Sequence, residues 1–426
     1  MAGLVMLLVF FAVILFLKIP MAIGLLVSSI VGMLFFDITD LVYVGKAAFE
    51  SLYSFTTIAI PLYIFAGVLM SRGGIAKQLC DFCYAIVSKI TGGLAMVTML
   101  ASAIFAAISG SSTATTVAIG GMMYPEMVKK GSDEDFSLAV AAAGGVVGPI
   151  IPPSIGFILY GVCTGTSISD LFLGGVVPGL CMTLFMCIVA YFICKKKHYK
   201  GESLPGGKGV LKTAWEAKWA LLVPVIILGG IYSGMFTPTE AGAVVCVYAI
   251  FVSMFILRTV TLKELFQIFA DSTISSAAIL ILVATATIFG RVLTLAQVPQ
   301  TLTQFITGLG ANKITVMLLI NLFLLIVGCV MEASAAIMIL SPLLLPVAAS
   351  FGFSALQFGV ILVANLTIGA ITPPVGCCLF AASVIGERPV EKIARSAVPF
   401  LIALLIVLTL VCIFPWMSEW LPSVFS

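Results

Sequence analysis

The chain has 426 residues, of which 62% are hydrophobic and 9% charged, with a net charge of +3 and a single histidine, His198. Soluble domains carry about a quarter charged residues, so this composition describes a polytopic membrane protein with no room for a soluble domain of its own. One histidine excludes histidine-rich metal or catalytic chemistry. The eleven cysteines are scattered through apolar segments and read as small packing residues, and Cys80-x-x-Cys83 lacks the second ligand pair that a zinc site needs.

Charges divide the sequence into apolar spans of about 20 residues, the length a bilayer demands. In the first half, spans are expected near 3–17, 21–36, 56–71, 136–162 and 171–194, with a short interfacial helix near 40–55. Residues 1–17 resemble the apolar part of a signal peptide. They lack a basic flank and a small-residue cleavage site, so they read as a retained span. The uncharged stretch 90–125 has Ser and Gly at its middle and reads as a re-entrant hairpin. The lysine-rich segment 195–218, with Gly206-Gly207, is a linker between halves. The second half repeats the plan. Spans are expected near 219–236, 240–257, 272–290, 357–380 and 396–416, an interfacial helix near 259–271, and a hairpin at 314–350. Thr237-Pro238-Thr239-Glu240 has the form of a capped helix start.

Loop charge sets orientation. With the N-terminus periplasmic, all but three of the 21 Lys and Arg fall on the cytoplasmic side, Lys46, Arg291 and Lys313 being the exceptions. The halves are repeats. Pro125 and Pro346, Pro178 and Pro399, and the diprolines Pro152-Pro153 and Pro373-Pro374 all stand 221 residues apart. Five crossings per half make the second copy inverted, an arrangement that secondary transporters use for alternating access.

Both diprolines lie inside apolar spans, where proline removes a backbone donor and breaks a helix. In hydrocarbon such a break is tolerated only when buried in protein or lining a cavity. The first hairpin carries Ser109-Gly110-Ser111-Ser112-Thr113-Ala114-Thr115, a run of hydroxyls that supplies the hard oxygens an alkali cation needs. Carbonyls freed at Gly148 to Pro153 supply more. The half-helix that follows points its positive end into the cavity, which suits a carboxylate. The second hairpin carries Met331-Glu332-Ala333-Ser334 in the same register. Glu332 is the only acid between Asp271 and Glu387. It can ligate a cation, cap a helix or carry a proton. The candidate sites are therefore Ser109, Gly110, Ser111, Ser112, Gly148, Ile151 and Pro153 for one alkali cation, and Met331, Glu332, Ser334, Thr367, Gly369, Thr372 and Pro374 for a second. Ser111, Thr113, Ser154, Asn365 and Thr372 are candidates for the substrate.

Four stretches carry a family resemblance: Ser109-Gly110-Ser111-Ser112, Ile150-Ile151-Pro152-Pro153-Ser154-Ile155, Gly234-Met235-Phe236-Thr237-Pro238-Thr239-Glu240-Ala241, and Thr372-Pro373-Pro374-Val375-Gly376. With these the chain resembles the large membrane subunit of tripartite ATP-independent periplasmic (TRAP) transporters, the dicarboxylate transporter M-subunit family. The resemblance implies an all-α fold of elevator type and sodium as coupling ion, with no other cofactor. It also implies a small four-helix membrane subunit and a periplasmic substrate-binding protein as partners, in a bacterial inner membrane. The substrate is expected to be an organic acid such as a C4-dicarboxylate or sialic acid. Family sodium sites carry over onto Ser109, Ser111, Gly148 and Pro153, and onto Glu332, Gly369, Thr372 and Pro374. Members often have aspartate where this chain has Glu332.

The expected division is a scaffold at 1–55 and 219–271, and a transport domain at 56–194 and 272–426. A stand-alone carboxylate carrier of the same superfamily is the alternative. Nothing in the sequence points to nucleic acid as a partner. An enzyme would need a buried His, Asp or Cys constellation that the sequence does not offer, and no Gly-x-x-x-x-Gly-Lys-Ser/Thr run marks an ATP site.

Overall fold

A computed structural model describes residues 19–36, 39–40, 42–87, 90–199, 210–308, 310 and 312–425. The expected span at 3–17 and the centre of the linker lie outside them. Of the described residues 83% are helical, and no strand occurs among them. The helices are α1 (Met21–Phe36), α2 (Val42–Leu52), α3 (Ala59–Arg72), α4 (Ile75–Val87), α5 (Gly93–Ser109), α6 (Ser112–Lys129), α7 (Glu134–Val146), α8 (Ile155–Thr164), α9 (Ile168–Lys196) and α10 (Val210–Tyr232). There follow α11 (Pro238–Phe251), α12 (Leu262–Leu295), α13 (Val298–Gly308), α14 (Lys313–Val330), α15 (Ala333–Ser350), α16 (Ala355–Gly369), α17 (Cys377–Gly386), α18 (Val390–Ile413) and α19 (Trp416–Phe425). Among the described residues seven helices are long and apolar enough to cross a bilayer, α11 being counted with its continuation to Ile256, and the bent pair α3–α4 makes an eighth candidate.

Local chemistry explains the boundaries. Thr237 caps α11 from its hydroxyl, Glu240 reaches back to the Thr237 amide at 2.8 Å, and Pro238 occupies the first turn, where its missing N–H costs nothing. The expected hairpins are the pairs α5–α6 and α14–α15. The two interrupted spans are α7–α8 and α16–α17. α6 and α15 begin at 112 and 333, and α7 and α16 at 134 and 355, so the 221-residue spacing of the prolines extends to whole helices.

Two expectations differ from the structure. The interfacial helix at 259–271 and the span at 272–290 are one 34-residue helix, α12, opened by a Thr261–Glu264 capping box. Of the charges that marked a boundary in the sequence, Lys263 and Glu264 are exposed and Asp271 is half-buried against Arg72 of α3. The linker also ends earlier than expected, because α10 already begins at Val210. The span expected at 56–71 is α3, and α4 follows it at a bend of 67° at Gly73-Gly74, where Gly74 takes φ +78, a conformation that glycine adopts without penalty.

The packing forms two groups. α1, α2 and α3 lie against α12, α3 lies against α11, and α4 against α10. α3 and α4 also pack on α5 of the first hairpin, so they link the spans of the second half that precede residue 296 to that hairpin. The other group interlocks the halves. α6 packs on α17, and α15 packs on α8, so each hairpin touches the half-helix beyond the other half's break. Arg388, between α17 and α18, binds Asp135 of α7 at 2.9 and 3.2 Å and so joins the two breaks from outside. α12 bridges the two groups by packing on α15.

A continuous α12 makes a direct prediction. Thr273 is exposed, yet Thr273→Pro removes an internal amide from the ladder and should cost about 3 kcal/mol, lowering the thermal melting temperature of the purified protein. An unchanged melting temperature would mean that the helix is interrupted there after all.

Candidate functional site

The first break spans 147–154, between α7 and α8. Pro149, Pro152 and Pro153 contribute carbonyls but no N–H, so this segment holds more acceptors than donors. The amides of Gly148, Ile150 and Ile151 turn back onto the Gly145 and Val147 carbonyls. The Ser154 hydroxyl donates to the Pro149 carbonyl and accepts from the Phe157 amide, which caps α8. The α5–α6 tip lies directly on this break. A Cβ on Gly148 would sit 2.5 Å from the Ser111 carbonyl oxygen, and one on Gly110 would sit 3.0 Å from the Pro153 carbonyl oxygen. Backbone meets backbone, and glycine is required at both places. Hydroxyls stiffen the tip. Ser109 bonds Thr115 at 2.8 Å, Thr115 donates to the Ser111 carbonyl at 2.8 Å, and the Ser111 hydroxyl caps α6.

The second break, 370–376, is built alike. Beyond its diproline, the amides of Val375 and Gly376 both donate to the Cys329 carbonyl at 3.2 Å, satisfying an orphan carbonyl at the end of α14. A Cβ on Gly369 would lie 2.5 Å from the Gly328 carbonyl carbon. At the α14–α15 tip, Glu332 is the N-cap of α15. Its carboxylate accepts from the Ser334 amide and hydroxyl, both at 2.9 Å, and from the Ala335 amide at 3.3 Å. Glu332 and Ser111 stand 221 residues apart and do the same capping work with different chemistry.

Because each hairpin packs on the opposite half-helix, the two tips face one another across a single cavity of about 330 Å³. Gly110 to Thr113 and Pro149 line one side, Met331 to Ser334 with Ala370 and Cys377 the other, and Ile279 of α12 closes it. Its volume lies at the small end of the roughly 300–1,000 Å³ typical of ligand sites. Glu332 is the only charged residue among those lining it. Hydroxyls and backbone provide the rest of its polarity, so the cavity is equipped to bind a small cation through oxygens and a small solute through hydrogen bonds.

The candidate residues fall into place unevenly. Ser109, Gly110, Ser111, Ser112, Gly148 and Pro153 come together at the first tip and break, and Thr113 joins Ser111 in the cavity wall. Ile151 contributes backbone only, since its side chain packs over Gly179 of α9. Ser154 is fully buried and committed to its cap. In the second half, Met331, Glu332 and Ser334 line the cavity and Gly369 lies on Gly328. Thr367 and Thr372 donate to the carbonyls of Ala364 and Ile368, and Pro374 is exposed beside them. Asn365 is not brought to the cavity. Its amide nitrogen binds the Asn321 side chain at 2.6 Å in α14, in a separate apolar groove, and its buried Oδ1 has no partner. Thr115 ends the hydroxyl run read from the sequence but was not among the candidate ligands; it is fully buried and braces the first tip. Its spacing of four from Ser111, one helical turn, was the available signal.

Away from the cavity, Arg291 at the end of α12 binds Glu50 of α2 at 2.9 Å. This hydrogen bond holds the Glu50 carboxyl below the usual carboxylate range.

A family model described as "Tripartite ATP-independent periplasmic transporter, DctM component" matches residues 8–417. The C4-dicarboxylate TRAP transporter large permease protein DctM of Pseudomonas aeruginosa is 40% identical over 88% of this chain and 88% of that protein. The isethionate TRAP transporter permease protein DctMQ of Oleidesulfovibrio alaskensis is 40% identical over 95% of this chain, and this chain spans 64% of that protein's length. In fold, the crystal structure of the Alcanivorax borkumensis YdaH transporter matches with a TM-score of 0.65 over 89% of each chain, at 15% identity.

The tip geometry can be tested by stability. Gly369→Ala forces backbone apart and should cost about 1–3 kcal/mol. Glu332→Ala removes a cap and should cost about 1 kcal/mol, whereas Glu332→Ser should recover most of that loss, because serine caps the equivalent helix in the first hairpin. Melting temperatures of the three variants check this. Equal losses for Glu332→Ala and Glu332→Ser would show that capping is not what the carboxylate provides.

Proposed function

The chain belongs to the DctM component family of tripartite ATP-independent periplasmic transporters, and from the geometry of its two tips we propose that it imports an organic acid by sodium-coupled alternating access. The observation that carries this reading is the pairing of two hairpin tips with two proline-broken helices around one cavity. Each break leaves surplus carbonyls, and each tip adds oxygens: hydroxyls of Ser109, Ser111 and Ser112 at the first, Glu332 and Ser334 at the second. Oxygen-rich sites of this kind suit a hard cation. Sodium bound at each break offsets part of the cost of bringing an anion to mid-bilayer, and the acid sits between the tips against Ser111 and Thr113.

The packing supports an elevator-type movement. The hairpins and broken helices interlock, while α1 and α2 pack on α12, α11 on α3 and α10 on α4, with α3 and α4 also touching the first hairpin. The cavity lies where the interlocked helices meet α12, at Ile279. Sliding of the interlocked helices along α12 carries the cavity across the membrane. In this reading the halves are inverted repeats, the membrane is the bacterial inner membrane, and the N-terminus is periplasmic. The wider assembly includes a small four-helix membrane subunit and a periplasmic binding protein that delivers the acid. C4-dicarboxylates, isethionate and sialic acids are the substrate class. A stand-alone carrier is the competing reading, and uptake by vesicles that contain no binding protein would favour it.

Ser111→Ala and Thr372→Ala are each expected to raise the sodium concentration for half-maximal uptake about ten-fold, the effect of losing one good oxygen ligand. Unchanged sodium dependence in both sinks the two-site reading. Glu332→Ser separates cap from ligand: restored melting temperature with weakened sodium activation marks a ligand, and wild-type activation marks a cap alone. A cysteine placed at exposed position 198 should react only with membrane-permeable reagents, and labelling by an impermeable reagent from the periplasm overturns the orientation.

A further inference from the structure

The cavity between the tips poses an electrostatic problem for an anion. The one charged residue in its lining is Glu332, of the wrong sign. Next to it lies a second cleft of about 370 Å³ that shares Ser111, Thr113, Ile155 and Ile279 with the cavity. The one charged residue lining this cleft is Arg72, at the C-terminal end of α3. We propose that Arg72 forms an anion subsite beside the transport cavity. It takes the carboxylate or sulfonate of the transported acid in exchange for Asp271 as the acid passes between cavity and cleft. The proposal rests on the reading of this protein as an organic-acid transporter and goes further by naming the residue that meets the anion.

The placement follows from two helices. On α3, Gly67 sits against the first tip, where an added Cβ would approach the Ser109 Cα to 3.1 Å. Arg72 is five residues on, about 7.5 Å along the helix, and it lines the same cleft as Ser111. On α12, Asp271, Ser275 and Ile279 recur every four residues and so lie along one face. Asp271 binds Arg72, Ser275 lines the cleft and Ile279 closes the cavity. This face joins the ion pair to the site.

The ion pair has the character of an exchangeable partner. Arg72 Nη2 meets Asp271 Oδ2 at 2.7 Å, and the two side chains retain 50% and 41% of their exposure. Half-exposed pairs of this kind are held weakly. The guanidinium carries five N–H donors in a planar fork that matches a second carboxylate or a sulfonate. Lysine lacks that fork, which gives the proposal a chemical signature. An incoming anion therefore displaces Asp271 or shares the guanidinium with it, without leaving a charge buried and unpaired.

Equilibrium binding of radiolabelled succinate, isethionate and N-acetylneuraminate to the full-length chain, purified in detergent at saturating sodium, tests this. For whichever acid the wild type binds, Arg72→Gln combined with Asp271→Asn should raise Kd roughly ten-fold, the loss of one charge-assisted contact. The double variant leaves no stranded carboxylate, and the sodium dependence of binding should stay where it is. Asp271→Asn alone frees the guanidinium and should tighten binding, while Arg72→Lys should recover only part of the affinity lost in the double variant. A wild-type Kd in the double variant overturns the proposal. So does weakening in Asp271→Asn, which would make the pair a structural brace. Should the double variant fail to elute as a folded protein, the direction of the Asp271→Asn effect still decides. Wild-type protein that binds none of the three acids overturns the transport reading itself, and this subsite with it, before any variant is made.

Discussion

A broken helix inside a bilayer must find partners for its backbone within the protein, and this structure is organised around meeting that demand twice. At each diproline the chain has more carbonyls than amides. At each, a helical hairpin comes so close that only glycine fits between the two backbones: Gly148 against Ser111, and Gly369 against Gly328. Neither element is self-sufficient. The hairpin tip needs the break to satisfy its orphan groups, as Cys329 shows by accepting both amides that follow the second diproline. The break in turn needs the tip to keep hydrocarbon away from its carbonyls.

From this constraint comes the single cavity. Each hairpin also packs on the half-helix beyond the opposite break, so the two units close on each other and bring their tips face to face. The surface between them is polar through backbone and hydroxyl oxygens, with one carboxylate. The halves are alike in geometry and unlike in chemistry. Ser111 and Glu332 cap equivalent helices, and only one of them carries charge. A cation bound near Glu332 has its charge partly balanced by protein, whereas one at the first break relies on dipoles alone. The two positions therefore differ in affinity in any account that fills both.

Much of this was legible in the sequence because proline and glycine act locally. The two breaks, both hairpins and the Thr237 cap follow from the backbone chemistry of single residues, and the 221-residue spacing tied them together. Features that depend on what a side chain meets across the fold were not legible. Asp271 read as the end of an interfacial helix, since a charge in an apolar stretch suggests a boundary. In the structure it rides mid-helix on α12, because Arg72 of α3 lies opposite. Asn365 read as a substrate-binding amide and instead binds Asn321, whose proximity arises only when α16 packs on α14. Ile151 sits in the break, yet its side chain turns outward to α9. The contacts of α3 with α11 and of α4 with α10 were likewise hidden, since they join elements from opposite halves of the sequence.

The central claim is that each tip-and-break pair is a cation site and that the two act on one cavity. Equilibrium binding of radioactive sodium to the purified protein tests it most directly, with Gly148→Ala and Gly369→Ala as comparisons at matched folding. The account predicts saturable binding of at least two ions per chain, with one class lost when each glycine is replaced. Binding that does not saturate, or that survives both replacements unchanged, would contradict it.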